Sequence, residues 1–231
     1  MRAIAHRGWW WPRRELQNHP ASVLAALSNG FGAEVDVWGI RDQRLVLRHD
    51  ESSAVYEMAL PQPACGTIFL HVKAAKNGTA EGLVDILRLR GWLEHTYLFC
   101  SPSNDGLLAR MKEVLAGQLT SIGLRTLTTV VDPLGLDVLL DQPDPLGGAD
   151  GVWLEQPDED WVDADAIDTI HRVGKTAWVV SPELHGWKLD LGMVAQEWGS
   201  ADGLVTDYPH LIERVTDATD PHVHPKEPWW Q

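Results

Sequence analysis

The sequence predicts an α/β fold, a single (β/α)8 TIM-type barrel with its active site at the C-terminal ends of the strands. Eight short apolar runs alternate with segments of helical period, as a βα repeat requires. The reactive side chains gather just after the early apolar runs, where such a barrel builds its sites. At 231 residues and 44% hydrophobic content, the chain is long enough to enclose one core. It is read as one barrel over residues 1–215 and a C-terminal tail over 216–231, where proline and tryptophan are dense.

The predicted strands are Arg2 to Ala5, Ala33 to Trp38, Thr67 to Val72, Thr96 to Cys100, Thr120 to Leu124, Gly151 to Leu154, Thr176 to Val180 and Gly203 to Thr206. Helical periodicity falls between them at Pro20 to Ser28, Ala80 to Arg90, Asp105 to Leu115, Ala164 to Val173 and Leu191 to Trp198. The clearest helix has Asp163 as N-cap, Ala166, Ile167, Ile170 and Val173 on one face, and Gly174 beyond its end. Two stretches dense in Pro, Gly and Asp, Asp50 to Gly66 and Arg125 to Asp150, read as long loops over the active face, the second with room for a short helix at Leu134 to Leu140.

Composition excludes several functions. A formal net charge of −14 leaves no basic surplus to neutralise a nucleic acid. The opening residues are too short and interrupted for a cleavable signal, and no apolar run is long enough to span a bilayer, so a cytoplasmic protein is expected. Cys65 and Cys100 lack zinc or redox spacing and read as reduced thiols. Nothing in the sequence fixes the oligomeric state.

The reactive residues fall on one rim of this scaffold. His6 follows the first strand. Glu34 and Asp36 share one face of the second by the two-residue alternation, and His71 and Lys73 share one face at the end of the third. His49 and Asp50 follow the apolar pair Val46 and Leu47, so a hairpin or loop after the second strand returns them to the same rim. These types suit a phosphodiester. Its negative oxygens resist attack, so a site needs a divalent cation, cationic side chains, a base and an acid. Glu34 and Asp36 are hard oxygen ligands for Mg²⁺ or Ca²⁺. Arg7 and Lys73 contact phosphate oxygens, and His6 and His49 titrate near neutrality.

At this point the chain resembles the glycerophosphodiester phosphodiesterases, within the wider group of barrel phosphodiesterases that includes phosphatidylinositol-specific phospholipases C. The resemblance lies in AHRG at Ala5 to Gly8, QNHPASVLAAL after it, GAEVDVW at Gly32 to Trp38, LVLRHD at Leu45 to Asp50, LHVK at Leu70 to Lys73 and GLVTDYP at Gly203 to Pro209. An ordered set of such motifs across nearly the whole chain is specific where HRG alone is weak. The resemblance implies a metal-dependent hydrolase acting on a small-molecule phosphodiester of glycerol or another polyol, in lipid metabolism. It carries the acid/base roles onto His6 and His49, and metal binding onto Glu34 and Asp36.

Two departures stand out. Where the family shows Glu-Asn-Thr, this chain has Gln17, Asn18 and His19, and His71 replaces the carboxylate two residues before the lysine. With His71 as ligand the site is less negative, so it tolerates Mn²⁺, Co²⁺ or Zn²⁺ better beside Mg²⁺ or Ca²⁺. Glu183, with His185 after the seventh strand, is a candidate to replace the missing carboxylate and to bind substrate. Of the 12 tryptophans, Trp9 to Trp11, Trp38 and Trp178 are placed to line an alcohol pocket, Trp178 being the substrate-binding candidate. In the working mechanism one histidine deprotonates water or a substrate hydroxyl and the other protonates the departing alkoxide; attack by the hydroxyl gives a cyclic phosphate. Two other classes compete: a Schiff-base aldolase or lyase using Lys73, and a non-catalytic phosphate-ligand binding protein.

Overall fold

The computed structural model describes residues 1–62, 66–73, 79–100, 113, 125–143, 149–157 and 161–219. The strands are β1 (Arg2–Ala5), β2 (Gly32–Arg41), β3 (Arg44–Leu47), β4 (Tyr56–Met58), β5 (Ile68–Val72), β6 (Thr96–Cys100), β7 (Arg125–Val130), β8 (Gly151–Leu154), β9 (Thr176–Val180) and β10 (Gly203–Thr206). They form one ten-stranded sheet in the order β1-β10-β9-β8-β7-β6-β5-β2-β3-β4. From β1 through β2 every pairing is parallel, so the C-terminal ends of eight strands lie on one side. β1 also pairs with β2, Ile4 opposite Gly32 and Ala5 opposite Ala33, and so has parallel partners on both sides.

The helices are α1 (Pro20–Ser28), α2 (Thr79–Arg90), α3 (Pro133–Leu140), α4 (Ala164–Arg172), α5 (Leu191–Glu197) and α6 (Pro209–Thr219). Their starts follow capping chemistry. The Asp163 carboxylate accepts from the Ala166 amide at 2.8 Å, Asp132 from Gly135 at 2.7 Å, and His19 Nδ1 from Ala21 at 3.1 Å ahead of Pro20. In α4, Ile167 and Ile170 are buried, whereas Val173 sits at the C-cap and is exposed. No helix among the described residues is long and apolar enough to cross a membrane.

Strand alternation sorts the core into two layers. Val35 and Val37 on β2, and Ile68, Leu70 and Val72 on β5, pack outward with helix residues such as Val23, Leu27, Leu83 and Leu87. Ile4, Phe69, Tyr97, Phe99, Leu127, Trp153, Trp178, Val180 and Val205 form a second cluster from the opposite strand faces. The rings interlock: Phe69 stacks on Tyr97 at 4.9 Å, Phe99 on Trp153 at 4.1 Å, and Trp178 meets Phe69 edge-on at 4.7 Å.

Several expectations move. The strand expected at Thr120 to Leu124 lies outside the described residues, and a strand stands at Arg125–Val130, in the first part of what reads as a loop. The helix in that stretch is present as α3. The helix expected at Asp105 to Leu115 and Cys65 also lie outside the described residues; Cys100 is buried. The stretch read as loop from Asp50 contains β4, an edge strand on β3. α6 runs to Thr219, so residues 216–219 are helix rather than tail.

Candidate active site

β1 ends by delivering His6 to the rim. Its Nδ1 lies 2.8 Å from Asp207 Oδ1, immediately after β10, which fixes the ring and leaves Nε2 for the site. Burial is the main influence on His6 and lowers its pKa despite Asp207. The chain then turns through Arg7 and Gly8, both at positive φ (54° and 83°). That turn aims the Arg7 amide at Glu34, donating to Oε2 at 3.1 Å. A Cβ on Gly8 would meet the Val23 backbone nitrogen at 2.7 Å, so no larger residue fits there without movement.

β2 presents Glu34 and Asp36, 2% and 1% exposed. Asp36 is the electrostatic centre. Arg7 Nε lies 3.0 Å from Oδ2 and Lys73 Nζ 3.1 Å from Oδ1. Asn18, buried and at φ 57°, donates from Nδ2 to Asp36 Oδ2 at 2.8 Å while its Oδ1 accepts from the Asp36 amide at 2.9 Å. Burial pushes Asp36 up, but Lys73, Arg7, His71 and Asn18 together hold it below the usual carboxylate range. Glu34 goes the other way: burial, then the Asp36 charge, raise it to about 8.

His71 completes the group. Its Nδ1 is 3.8 Å from Glu34 Oε1 and 3.6 Å from Asp36 Oδ1, too far for hydrogen bonds and spaced as ligand atoms around a common ion are. Ligand atoms of Glu34, Asp36 and His71 all lie within 4.8 Å of one another. The ring stacks on Phe99 at 4.4 Å, and burial followed by Lys73 lowers its pKa to about 3, so it is the neutral imidazole a metal requires. Two buried carboxylates, one costly to ionise, with a neutral imidazole form a donor set that fits a divalent cation.

These residues share a cavity of about 320 Å³ whose lining includes His6, Arg7, Glu34, Asp36, His71 and Lys73. Across from them stand Thr129 from β7 and Val131 just past it, Trp153 from β8 and Glu155 just past it, and Val180, Leu184 and His185 from β9 and the turn after it. The other predicted residues are elsewhere. His49 follows β3 at the rim, is half-exposed, and pairs with Asp50 at 2.9 Å; it is not among the cavity residues. Trp178 is buried in the ring cluster and its Nε1 donates to Thr176 Oγ1 at 3.0 Å, back along its strand, so it does not line the cavity. Glu183 hydrogen-bonds the Ser181 and Thr206 hydroxyls and accepts from the Asp207 amide at 3.2 Å; it braces the ends of β9 and β10 and is not among the residues that line this cavity. Trp10 donates to the His6 carbonyl at 3.0 Å, Trp9 packs on Phe31, Trp11 lies against Tyr208, and Arg48 stands over Trp38.

Asp207, Trp153 and Glu155 carry no role in the sequence reading. Asp207 lies inside GLVTDYP, and Glu155 is two residues beyond Trp153, so strand parity alone could have placed both on the inner rim.

No family model matches the chain, and no curated protein matches it. Among solved structures, a glycerophosphodiester phosphodiesterase from Parabacteroides distasonis superposes with TM-score 0.61 at 15% identity, covering 94% of this chain and 97% of that one. An Oleispira antarctica phosphodiesterase, in complex with the product sn-glycerol-3-phosphate, gives TM-score 0.65 at 17% identity, covering 94% and 97%. At these identities the likeness is one of fold.

Proposed function

We propose that this protein is a metal-dependent phosphoric diester hydrolase acting on glycerophosphodiesters or a related small polyol phosphodiester, on a closed eight-strand barrel. The β1–β2 pairing supports the closure. The observation that carries the function is the convergence in one cavity of a buried carboxylate pair with an imidazole, two cations, and a carboxylate-oriented histidine. The two comparison structures described as phosphodiesterases share the fold, and the Oleispira protein's bound product is a phosphate monoester of glycerol.

Glu34, Asp36 and His71 would hold the cation, which when bound neutralises phosphate oxygens and stabilises the charge that grows on them. Arg7 and Lys73 already lie on Asp36 and extend positive potential toward the same oxygens. His6, neutral because it is buried and oriented by Asp207, is the base that takes a proton from water or a substrate hydroxyl. His49, at the rim with Asp50, is the residue for the acid role on the departing alkoxide. Asn18 and the Arg7 amide hold the two carboxylates in register without adding charge.

The Schiff-base reading is not favoured, because Lys73 is engaged with Asp36 rather than isolated among apolar groups. The test is hydrolysis of bis(p-nitrophenyl) phosphate and of glycerophosphodiesters. Turnover should vanish in EDTA and return with Mn²⁺ or Mg²⁺, and full activity in EDTA would remove the metal from the mechanism.

A further inference from the structure

We propose that Glu155 is a specificity-determining residue that selects diesters whose alcohol arm carries an ammonium group; the inference rests on the phosphodiesterase reading above. The cavity has two unlike walls. β2, which bears Glu34 and Asp36, and β8, which leads to Glu155, are four strands apart counted through β5 or through β1. The β2 side carries Arg7 and Lys73 and suits a phosphate. On the far side Glu155 is the carboxylate among the apolar residues Val131, Val180 and Leu184.

Glu155 is held rather than loose. Its Oε1 accepts from Trp153 Nε1 at 3.0 Å, its carbonyl accepts from Trp161 Nε1 at 2.9 Å, and its amide donates to the Val130 carbonyl at 2.9 Å. Trp153 is fixed in turn by its stack on Phe99. Among the described residues no ion pair is made to this carboxylate, and His185, which lines the same cavity, leaves its buried Nε2 without a hydrogen-bond partner.

A preorganised anion beside a phosphate-binding wall repels the diester's own charge unless the substrate supplies a cation to meet it. An amino-alcohol arm does so, with its ammonium on Glu155 and its methylenes against Val131, Val180 and Leu184. The volume, about 320 Å³, suits a headgroup-sized diester.

The experiment compares sn-glycero-3-phosphoethanolamine with sn-glycero-3-phosphoglycerol, which differ in the charge of the arm, on the wild type, Glu155→Gln and Glu155→Asp. kcat/KM is measured on metal-loaded protein and Kd by calorimetry in EDTA. The wild type should favour the ethanolamine diester by about 10- to 100-fold, chiefly through KM. Glu155→Gln, whose amide oxygen keeps the Trp153 bond, should bring the ratio toward one, and Glu155→Asp should restore part of it. A wild-type ratio near one with turnover of both diesters overturns the inference and leaves the phosphodiesterase reading standing. Equal loss on both substrates in Glu155→Gln assigns the residue a structural role and also overturns it. If no diester is turned over, the phosphodiesterase reading fails, and the calorimetric ratio in the two variants still decides whether Glu155 reads the ammonium.

Discussion

Replacing Glu34 by glutamine should stabilise the metal-free protein at alkaline pH and leave it nearly unchanged in acid. The ordinary glutamate value of 4.5 applies to the unfolded chain, whereas burial and the Asp36 charge raise the folded value to about 8. Between those values the folded state holds a proton that the unfolded chain has released, so stability falls as pH rises through the window and levels off above it. At about 1.4 kcal/mol per unit, the full penalty is on the order of 4–5 kcal/mol. In a chain of this size that corresponds to roughly 10 °C or more in melting temperature. Glutamine does not titrate, and its oxygen still accepts from the Arg7 amide. Thermal unfolding of both proteins in EDTA from pH 4.5 to 9 measures the difference, which should open from near zero to that order. Adding Mn²⁺ at pH 8.5 should then raise the wild type and leave the variant behind. A wild-type-to-variant difference that stays constant across the range would refute the reasoning, because no proton would then be linked to folding at Glu34.

The remaining expectations concern single contacts. His6→Ala should cut turnover by roughly a hundredfold or more, and Asp207→Asn by about tenfold or more, with folding intact; near wild-type turnover in either removes its role. His49→Ala should also lose roughly a hundredfold on substrates with poor leaving groups and less on p-nitrophenyl esters, which need little protonation; equal losses would take the acid role away from it. His71→Ala should weaken Mn²⁺ binding by about ten- to a hundredfold in calorimetry, while His71→Glu should shift preference toward Mg²⁺ or Ca²⁺; unchanged affinity in His71→Ala rejects the ligand role. Gly8→Ala should lower the melting temperature by several degrees, since the new Cβ meets α1 backbone at a positive φ; an unchanged value would show that the turn relaxes freely.

Most of the strand pattern was legible because inner and outer faces are both apolar, so each strand reads as a continuous run. β7 was not: the Thr and Arg in Arg125–Val130 break that run, and apolar residues just before it drew the reading to Thr120 to Leu124. The β2–β3 hairpin also carries a weak sequence signal, because its two-residue turn places Asp42 and Gln43 at φ 48° and 59° without the usual glycine. In the site, strand parity located Glu34, Asp36, His71 and Lys73 correctly on one face. The same parity puts Trp178 on that face too, but it does not say how far up the strand a side chain sits. Trp178 lies two residues before Val180, which lines the cavity, and so falls in the layer beneath. Glu183 differs for another reason: it lies three residues past β9, inside the turn Pro182–His185, where the strand alternation that still reaches Glu155 and Asp207 is lost, and two hydroxyls capture its carboxylate.

The exchange of a carboxylate for His71 is intelligible once its neighbours are considered. His71 stacks on Phe99 with rings 26° apart, and Phe99 stacks on Trp153 at 24°, a continuous pile of rings. A carboxylate in place of the imidazole would lie against the negative face of Phe99, whereas a neutral imidazole gains contact there. The far end of the pile is Trp153, whose Nε1 donates to Glu155. His71, proposed as a metal ligand, and the carboxylate proposed to read the substrate arm are thus fixed by one aromatic column. If both proposals hold, metal preference and substrate preference are coupled through this column: loosening Phe99 or Trp153 should disturb both walls of the cavity, whereas changes at Asn18 or Arg7 should act on the phosphate wall.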